Sequence, residues 1–236
     1  MHDFGDLVYL DLQKTGSTFV SEFLNRTCIL PLVRESKHGR INERKNPNAF
    51  YFITVRHPVA QYSSLFRYGL DRRGALYARM SQLGMAGLYE LGAEAFNKWL
   101  RFVLEFENAE LLGEGFERIP KDYNIGFLSY RYLMLSLARP ERTIRKKPSN
   151  VDIADYAKEC SIVNHVIKNE ELNEGLMELS LSIKPEYFDK ERVEEFLKKE
   201  RKKNASSVSA EQISQIDKDL YRMVVEKERI LFEFYS

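Results

Sequence analysis

Leu7-Val8-Tyr9-Leu10-Asp11-Leu12-Gln13-Lys14-Thr15-Gly16-Ser17-Thr18 decides the fold. Its first half is apolar and rich in strand formers, its second half is polar with a glycine, and Phe19, Phe23 and Leu24 then recur on one helical face. The pattern predicts a strand, a tight loop and a helix over Thr18 to Leu24 that stops at Asn25. A second unit of the same kind follows. Phe50-Tyr51-Phe52-Ile53-Thr54-Val55 predicts a buried strand after the loop-like Asn46-Pro47-Asn48, and Arg56-His57-Pro58 opens a helix, because proline suits a first helical turn. Strands alternating with helices build parallel sheets with helices on their faces, so the fold class is α/β, with residues 1–236 as one domain.

Further along, apolar spacing predicts helices over Leu88–Leu112 and Gly126–Ala138, the latter closed by Arg139-Pro140. Arg142–Asn150 reads as a polar loop and Ser161–Ile167 as a third strand. Helices are expected near Leu172–Leu181, Lys190–Lys199 and Ala210–Phe232. Trp99 falls at helical spacing with Phe96, Phe102 and Val103, which marks a core position rather than a platform for a base. Arg131 and Tyr130, among Phe127, Leu128 and Leu133, read as part of a packed helix.

With 44% hydrophobic and 12% aromatic residues, 236 residues supply a sizeable core. No apolar run approaches the roughly 18 residues of a membrane span. The expectation is a soluble, unsecreted, cytoplasmic protein with no membrane partner. Net charge is +1, but residues 1–150 hold 22 Lys/Arg against 16 Asp/Glu and the remainder 14 against 19. That basic first half suits a small polyanion and does not demand nucleic acid. Cys28 and Cys160 are far apart and lack metal-site spacing, so reduced structural thiols and no metal are expected.

The chemistry concentrates before residue 70. Lys14, Thr15, Gly16, Ser17 and Thr18 lie where a strand meets a helix N-terminus, so N–H groups, hydroxyls and a lysine converge on an anion-sized space. The bland alternative is a loop with a Ser/Thr cap. The nucleotide-hydrolase pattern Gly-x-x-x-x-Gly-Lys-Ser/Thr is missing, because here lysine precedes glycine. Arg56 ends the second strand and Ser64 lies eight residues on; together they suit a second phosphate.

Leu10–Thr18 and Phe52–Pro58 through Ser64 resemble, in the right order, the two phosphate motifs of the sulfotransferase superfamily, in particular the branch of carbohydrate sulfotransferases of the heparan 2-O type. Weaker landmarks are Gly126–Leu133, Val166–Glu170 and Lys203–Ser206. The resemblance implies a P-loop-like three-layer α/β/α sandwich around a central parallel sheet. It also implies a cofactor, 3'-phosphoadenosine 5'-phosphosulfate (PAPS), and no metal. Lys14, Thr15, Gly16, Ser17, Thr18 and Phe19 would hold the phosphosulfate, Arg56 and Ser64 the 3'-phosphate, and Lys203, Asn204 and Ser206 a covering loop.

Lys14 is expected to offset charge developing on the departing phosphate oxygen. The acceptor would be a hydroxyl of a carbohydrate or small metabolite. Relatives carry a His-Gly-His-like or Lys-His segment between the two motifs, which makes His38 the leading base. Arg40 stands where a second histidine would be, so Glu35, or neither residue, remains an alternative. His57 is expected to support the strand–helix turn, His165 to be a hydrogen-bonded structural residue and His2 to lie at a mobile end. Two rivals stand beside this reading: a nucleotide-dependent kinase, and a non-catalytic relative that keeps only the nucleotide pocket.

Overall fold

A computed structural model describes residues 1–43, 45–199 and 216–235. They divide into two compact units: Met1–Arg56 with the described part of Tyr132–Asn204, and His57–Arg131 with the described part of Ala205–Ser236. The elements are β1 (His2–Asp3), β2 (Leu7–Leu10), α1 (Ser17–Thr27), β3 (Arg34–Glu35), β4 (Phe50–Val55), α2 (Pro58–Leu70), α3 (Ala75–Gln82), α4 (Ala93–Leu104), α5 (Ala109–Leu112) and α6 (Phe127–Ser136). Next come α7 (Pro140–Arg145), α8 (Ile153–Cys160), β5 (His165–Lys168), α9 (Leu172–Glu178), α10 (Lys190–Lys199), α11 (Lys218–Lys227) and α12 (Arg229–Phe232).

The first unit carries a five-stranded sheet of order β3-β1-β2-β4-β5. β2, β4 and β5 pair in parallel, as the alternation of strand and helix predicts. The sheet is mixed, because β1 pairs antiparallel with both β2 and β3. A tight turn makes the first of these pairings: Gly5 sits at φ 81°, its N–H donates to Asp3 Oδ1 at 2.8 Å, and Phe4 N–H reaches Leu7 O at 2.9 Å. Two-residue strands leave no periodicity, so sequence reading passes over β1 and β3.

The expectation of a mobile end at His2 is overturned. His2 is buried in β1, and its Nε2 lies 3.1 Å from Glu35 Oε1. The Met1 amine donates to Ser36 O at 2.6 Å.

One face of this sheet forms a core with α1, α9 and α10. Leu7, Tyr9, Phe52 and Ile167 of the strands meet Phe19, Phe23, Leu24, Leu172, Leu176, Val193 and Phe196. Phe196 packs at 5.3 Å from Phe19 and 5.5 Å from Phe23. Helix α1 runs past the stop expected at Asn25, because Glu22 and Arg26 pair across one turn at 2.6 Å and Thr27 Oγ1 donates to Phe23 O at 2.8 Å.

The third strand begins at His165 rather than Ser161. Its upstream residues do other work: Asn164 exchanges hydrogen bonds with Tyr51, and Ile162 N–H bonds Ser136 O at 2.9 Å. Three helices were missed: α3 in the second unit, and α7 and α8 in the first. Pro140, expected to close the helix before it, instead starts α7, which runs into the expected polar loop; Arg139 takes a left-handed turn ahead of it, and Thr143 Oγ1 fastens it to Ala138 O. The N-terminus of α8 is capped by Asp152, which accepts from Ala154 N at 2.7 Å.

The second unit packs an aromatic cluster, with Phe66 at 5.3 Å from both Phe96 and Trp99. Trp99 is fully buried there, a core residue as read from its spacing. The helix expected over Leu88–Leu112 breaks at Glu105, whose ψ is 117°, and Asn108 Nδ2 donates to the Phe102 carbonyl freed by the break. The last helix breaks at Glu228; of its expected span, Ala210–Gln215 lie outside the described residues.

The break has a cause in the N-terminus of α6, whose first N–H groups lack helical partners. Glu228, fully buried, accepts there from Ser129 N at 2.6 Å and Leu128 N at 3.3 Å, and from the Tyr62 hydroxyl. A Cβ at Gly126 would overlap this carboxylate. Arg131, expected in a packed helix, is indeed buried and held bidentately by Glu114 at 3.0 and 2.6 Å.

Burial pushes the Glu228 carboxyl above its ordinary value of 4.5, against the donors that lower it. A raised acid is held best when protonated, so its contribution to stability is complete below that value and is lost as pH rises through the folded one. Glu228→Gln cannot release that proton. Its urea midpoint is therefore expected below wild type at pH 5, with the gap narrowing by pH 8. A gap that widens with pH would contradict the assignment.

Candidate active site

The carboxyl ends of β2, β4 and β5 lie side by side, and each leads into a segment with polar or charged groups. In open parallel sheets this edge is where ligands bind. After β2 comes the loop Asp11–Gly16. Lys14 takes a left-handed conformation at φ 65°, and Gly16 follows at φ 93° as the residue capping α1. Glycine is required at position 16 on two counts. The positive φ disfavours a side chain, and a Cβ would stand 2.6 Å from Asn169 Nδ2 and 2.8 Å from Leu172 Cδ2. Asn169, directly after β5, thereby closes against the loop.

Arg56 directly follows β4, and its Nη1 donates to Lys14 O at 3.5 Å. Two predicted cationic residues are thus joined at the mouth of α1. That helix has no acidic residue in its first turn and no side-chain cap, and its N-terminal dipole is positive. The Phe19 and Val20 N–H groups both bond Gly16 O, at 3.0 and 3.2 Å. An anion is suited to the part of the loop that precedes them.

Not every predicted residue faces that space. Thr15 is fully buried, and its hydroxyl donates to Leu12 O at 2.8 Å and lies 2.7 Å from Thr54 Oγ1, which in turn lies 2.8 Å from the Tyr9 hydroxyl. Its side chain fastens the loop; only its backbone remains for a ligand. Phe19 is a core residue packed on Phe196. Thr18 is exposed, while Ser17 and Lys14 are half-buried. Ser64 lies on α2, in the second unit. Lys203, Asn204 and Ser206 lie outside the described residues.

Of the two candidate bases, Glu35 is turned to His2 on the sheet edge. His38 reaches the loop itself. Ser36–Gly39 is a tight turn closed by Gly39 N–H to Ser36 O at 2.9 Å, with His38 at φ 53°. From that turn the imidazole Nδ1 lies 2.9 Å from Asp11 O and 3.3 Å from Asp11 Oδ2.

Asp11 was not singled out by sequence reading, although a carboxylate between Leu10 and Leu12 at a strand end is a signal in itself. Burial of Asp11 works to raise its carboxyl, but the His38 hydrogen bond and charge, the amino terminus and Ser17 together hold it below the ordinary 3.8. His57, as expected, supports the start of α2, its ring edge-on to Phe232 at 5.2 Å and Tyr235 at 5.3 Å. His165 departs from expectation, since its Nε2 is buried with no hydrogen-bond partner among the described residues.

Among the described residues no His/Cys/Asp/Glu group is arranged to hold a metal. A cleft of about 840 Å³ in the second unit, lined in part by Leu88, Glu94, Lys98 and Arg101, contains none of the predicted residues. No helix among the described residues is long and apolar enough to cross a membrane.

The buried hydroxyl chain gives a direct test of how the loop is fixed. Thr54→Val strips two hydroxyls of a shared partner and is expected to cost about 1–3 kcal/mol in chemical denaturation, whereas Tyr9→Phe costs about 0.5–1.5. Equal, negligible losses would show that the loop is held by other means. No family model, curated protein or solved structure matches the chain.

Proposed function

We propose that the chain is a sulfotransferase that moves a sulfuryl group from PAPS to an acceptor hydroxyl, of a carbohydrate or small metabolite, in a three-layer, P-loop-like α/β/α fold acting in the cytoplasm. The observation that carries this reading is the Arg56–Lys14 contact at the opening of α1, which places two cationic residues and a helix N-terminus together. The donor set suits a ligand that carries more than one anionic group. Charge comes from two side chains and from oriented backbone, in a loop shaped for close approach by left-handed residues at 14 and 16.

In this reading Lys14, Gly16, Ser17 and Thr18 hold the phosphosulfate and Arg56 the 3'-phosphate. Ser64 and the segment with Lys203, Asn204 and Ser206 keep the parts that the resemblance gives them. Lys14 and the helix N-terminus stabilise negative charge on the bridging oxygen as the phosphate departs, which favours the transition state over the ground state. No metal is required for that role. His38 serves as base, because its imidazole borders the loop.

Calorimetric titration with adenosine 3',5'-bisphosphate, the desulfated cofactor, is expected to give micromolar binding that Arg56→Ala removes. Binding of ATP with magnesium in its place would favour the kinase alternative. Lys14→Ala is expected to reduce PAPS turnover at least about 100-fold, the scale of one lost transition-state donor. Near-normal turnover would defeat the proposal.

A further inference from the structure

Asp11 is buried, charged and unused by sulfuryl transfer as described so far, yet it makes the principal contacts of the candidate base. Three of them converge. The Asp11 carbonyl and one carboxylate oxygen lie 2.9 and 3.3 Å from His38 Nδ1, and the same carboxylate oxygen lies 3.4 Å from the His38 backbone N–H. Both side-chain contacts come from acceptors, so only a protonated Nδ1 satisfies them, and Nε2 then carries the lone pair.

The backbone points the same way. A non-glycine residue in the left-handed region costs on the order of 1 kcal/mol and persists where its surroundings impose it. His38 adopts φ 53° in a turn whose Ser36 carbonyl also receives the Met1 amine at 2.6 Å.

We infer that Asp11 is the positioning residue of this site: its carbonyl fixes the Nδ1–H form of His38, and its carboxylate stabilises the imidazolium that forms when Nε2 takes the acceptor proton. The inference rests on the sulfotransfer reading. Proton and charge balance as follows. The acceptor oxygen bonds to sulfur while its proton passes to His38 Nε2; the bond from sulfur to the bridging phosphate oxygen breaks, and its electron pair leaves with adenosine 3',5'-bisphosphate. The imidazolium, paired with Asp11, later releases its proton to solvent. The arrangement follows the general logic of a base oriented by a third group. It also separates the two candidate bases, since among the described residues Glu35 is engaged with His2 and has no such partner toward the loop.

The test uses the full chain labelled with 15N-histidine, the His38 signals being identified by their loss in His38→Gln. Long-range 1H–15N correlation in the neutral form is expected to show Nδ1 protonated; a proton on Nε2 overturns the inference. Release of sulfate from PAPS into water then probes function. Asp11→Asn is expected to lower it about 100-fold while adenosine 3',5'-bisphosphate affinity stays within about twofold.

Asp11→Asn/His38→Gln is expected to be no slower than His38→Gln alone, because the two side chains act as a unit. Multiplying losses would overturn the inference and leave Asp11 a structural residue. Should Asp11→Asn fail to fold, the Asp11 carboxyl titration followed by 13C in His38→Gln decides. Its midpoint is expected to rise from below 3.8 once His38 is gone, since the burial that remains raises it, and an unmoved midpoint overturns the linkage. If the wild-type protein neither binds the bisphosphate nor releases sulfate, the sulfotransfer reading fails, while the histidine spectrum still decides the Asp11–His38 linkage.

Discussion

The contact of 2.7 Å between the Thr15 and Thr54 hydroxyls joins the loop after β2 to the strand beside it. Everything at the carboxyl edge depends on that join. With Thr15 tied inward, the residue before it is driven into a left-handed turn and the residue after it into a second one, so the chain reverses quickly and α1 starts close against Asn169. A looser loop would place the Lys14 carbonyl away from Arg56. Because the chain Tyr9–Thr54–Thr15–Leu12 is buried, each of its hydroxyls is worth more as a partner than it would be in water, and the loss of one exposes the others to an unsatisfied interior.

The site also contains an apparent contradiction in charge. A buried carboxylate would repel the anionic ligand proposed for this loop, yet Asp11 begins it. Hydrogen bonds from His38 and Ser17 and the charge of the amino terminus stabilise that carboxylate where it stands, and Asp11 in turn keeps a histidine beside the loop where a bare histidine would be free to turn away. The cationic residues Lys14 and Arg56 and the N-terminus of α1 supply the positive groups of the loop.

How much of this was legible in sequence follows from the range of the interactions involved. β4 and α10 have the bounds that pattern reading gives them, because a six-residue apolar run and a periodic charged helix are set by local burial. The α/β class followed from the same local signals. β1 and β3 are held by pairing across the chain, and the end of α11 is set by a carboxylate that caps a helix a hundred residues earlier. Such partners leave no period. At the site, Lys14, Gly16 and Arg56 were readable because loop chemistry is local. The inward turn of the Thr15 hydroxyl was not, since it depends on Thr54, and the role of Asp11 depends on a turn twenty-seven residues away.

Backbone strain supplies an argument independent of any resemblance. Among the described residues six non-glycines have positive φ, and Lys14 and His38 are two of them. Neither is asparagine or glycine, the residues that tolerate the conformation most cheaply. Each therefore carries a backbone cost of the kind that persists where the surroundings impose it. The two strained residues flank Asp11 from opposite sides, one three residues along the loop and the other through its imidazole. Four of the six stand elsewhere, so it is the meeting of the other two, a lysine and a histidine, on one strand end that accords with the preorganised geometry the proposed chemistry needs.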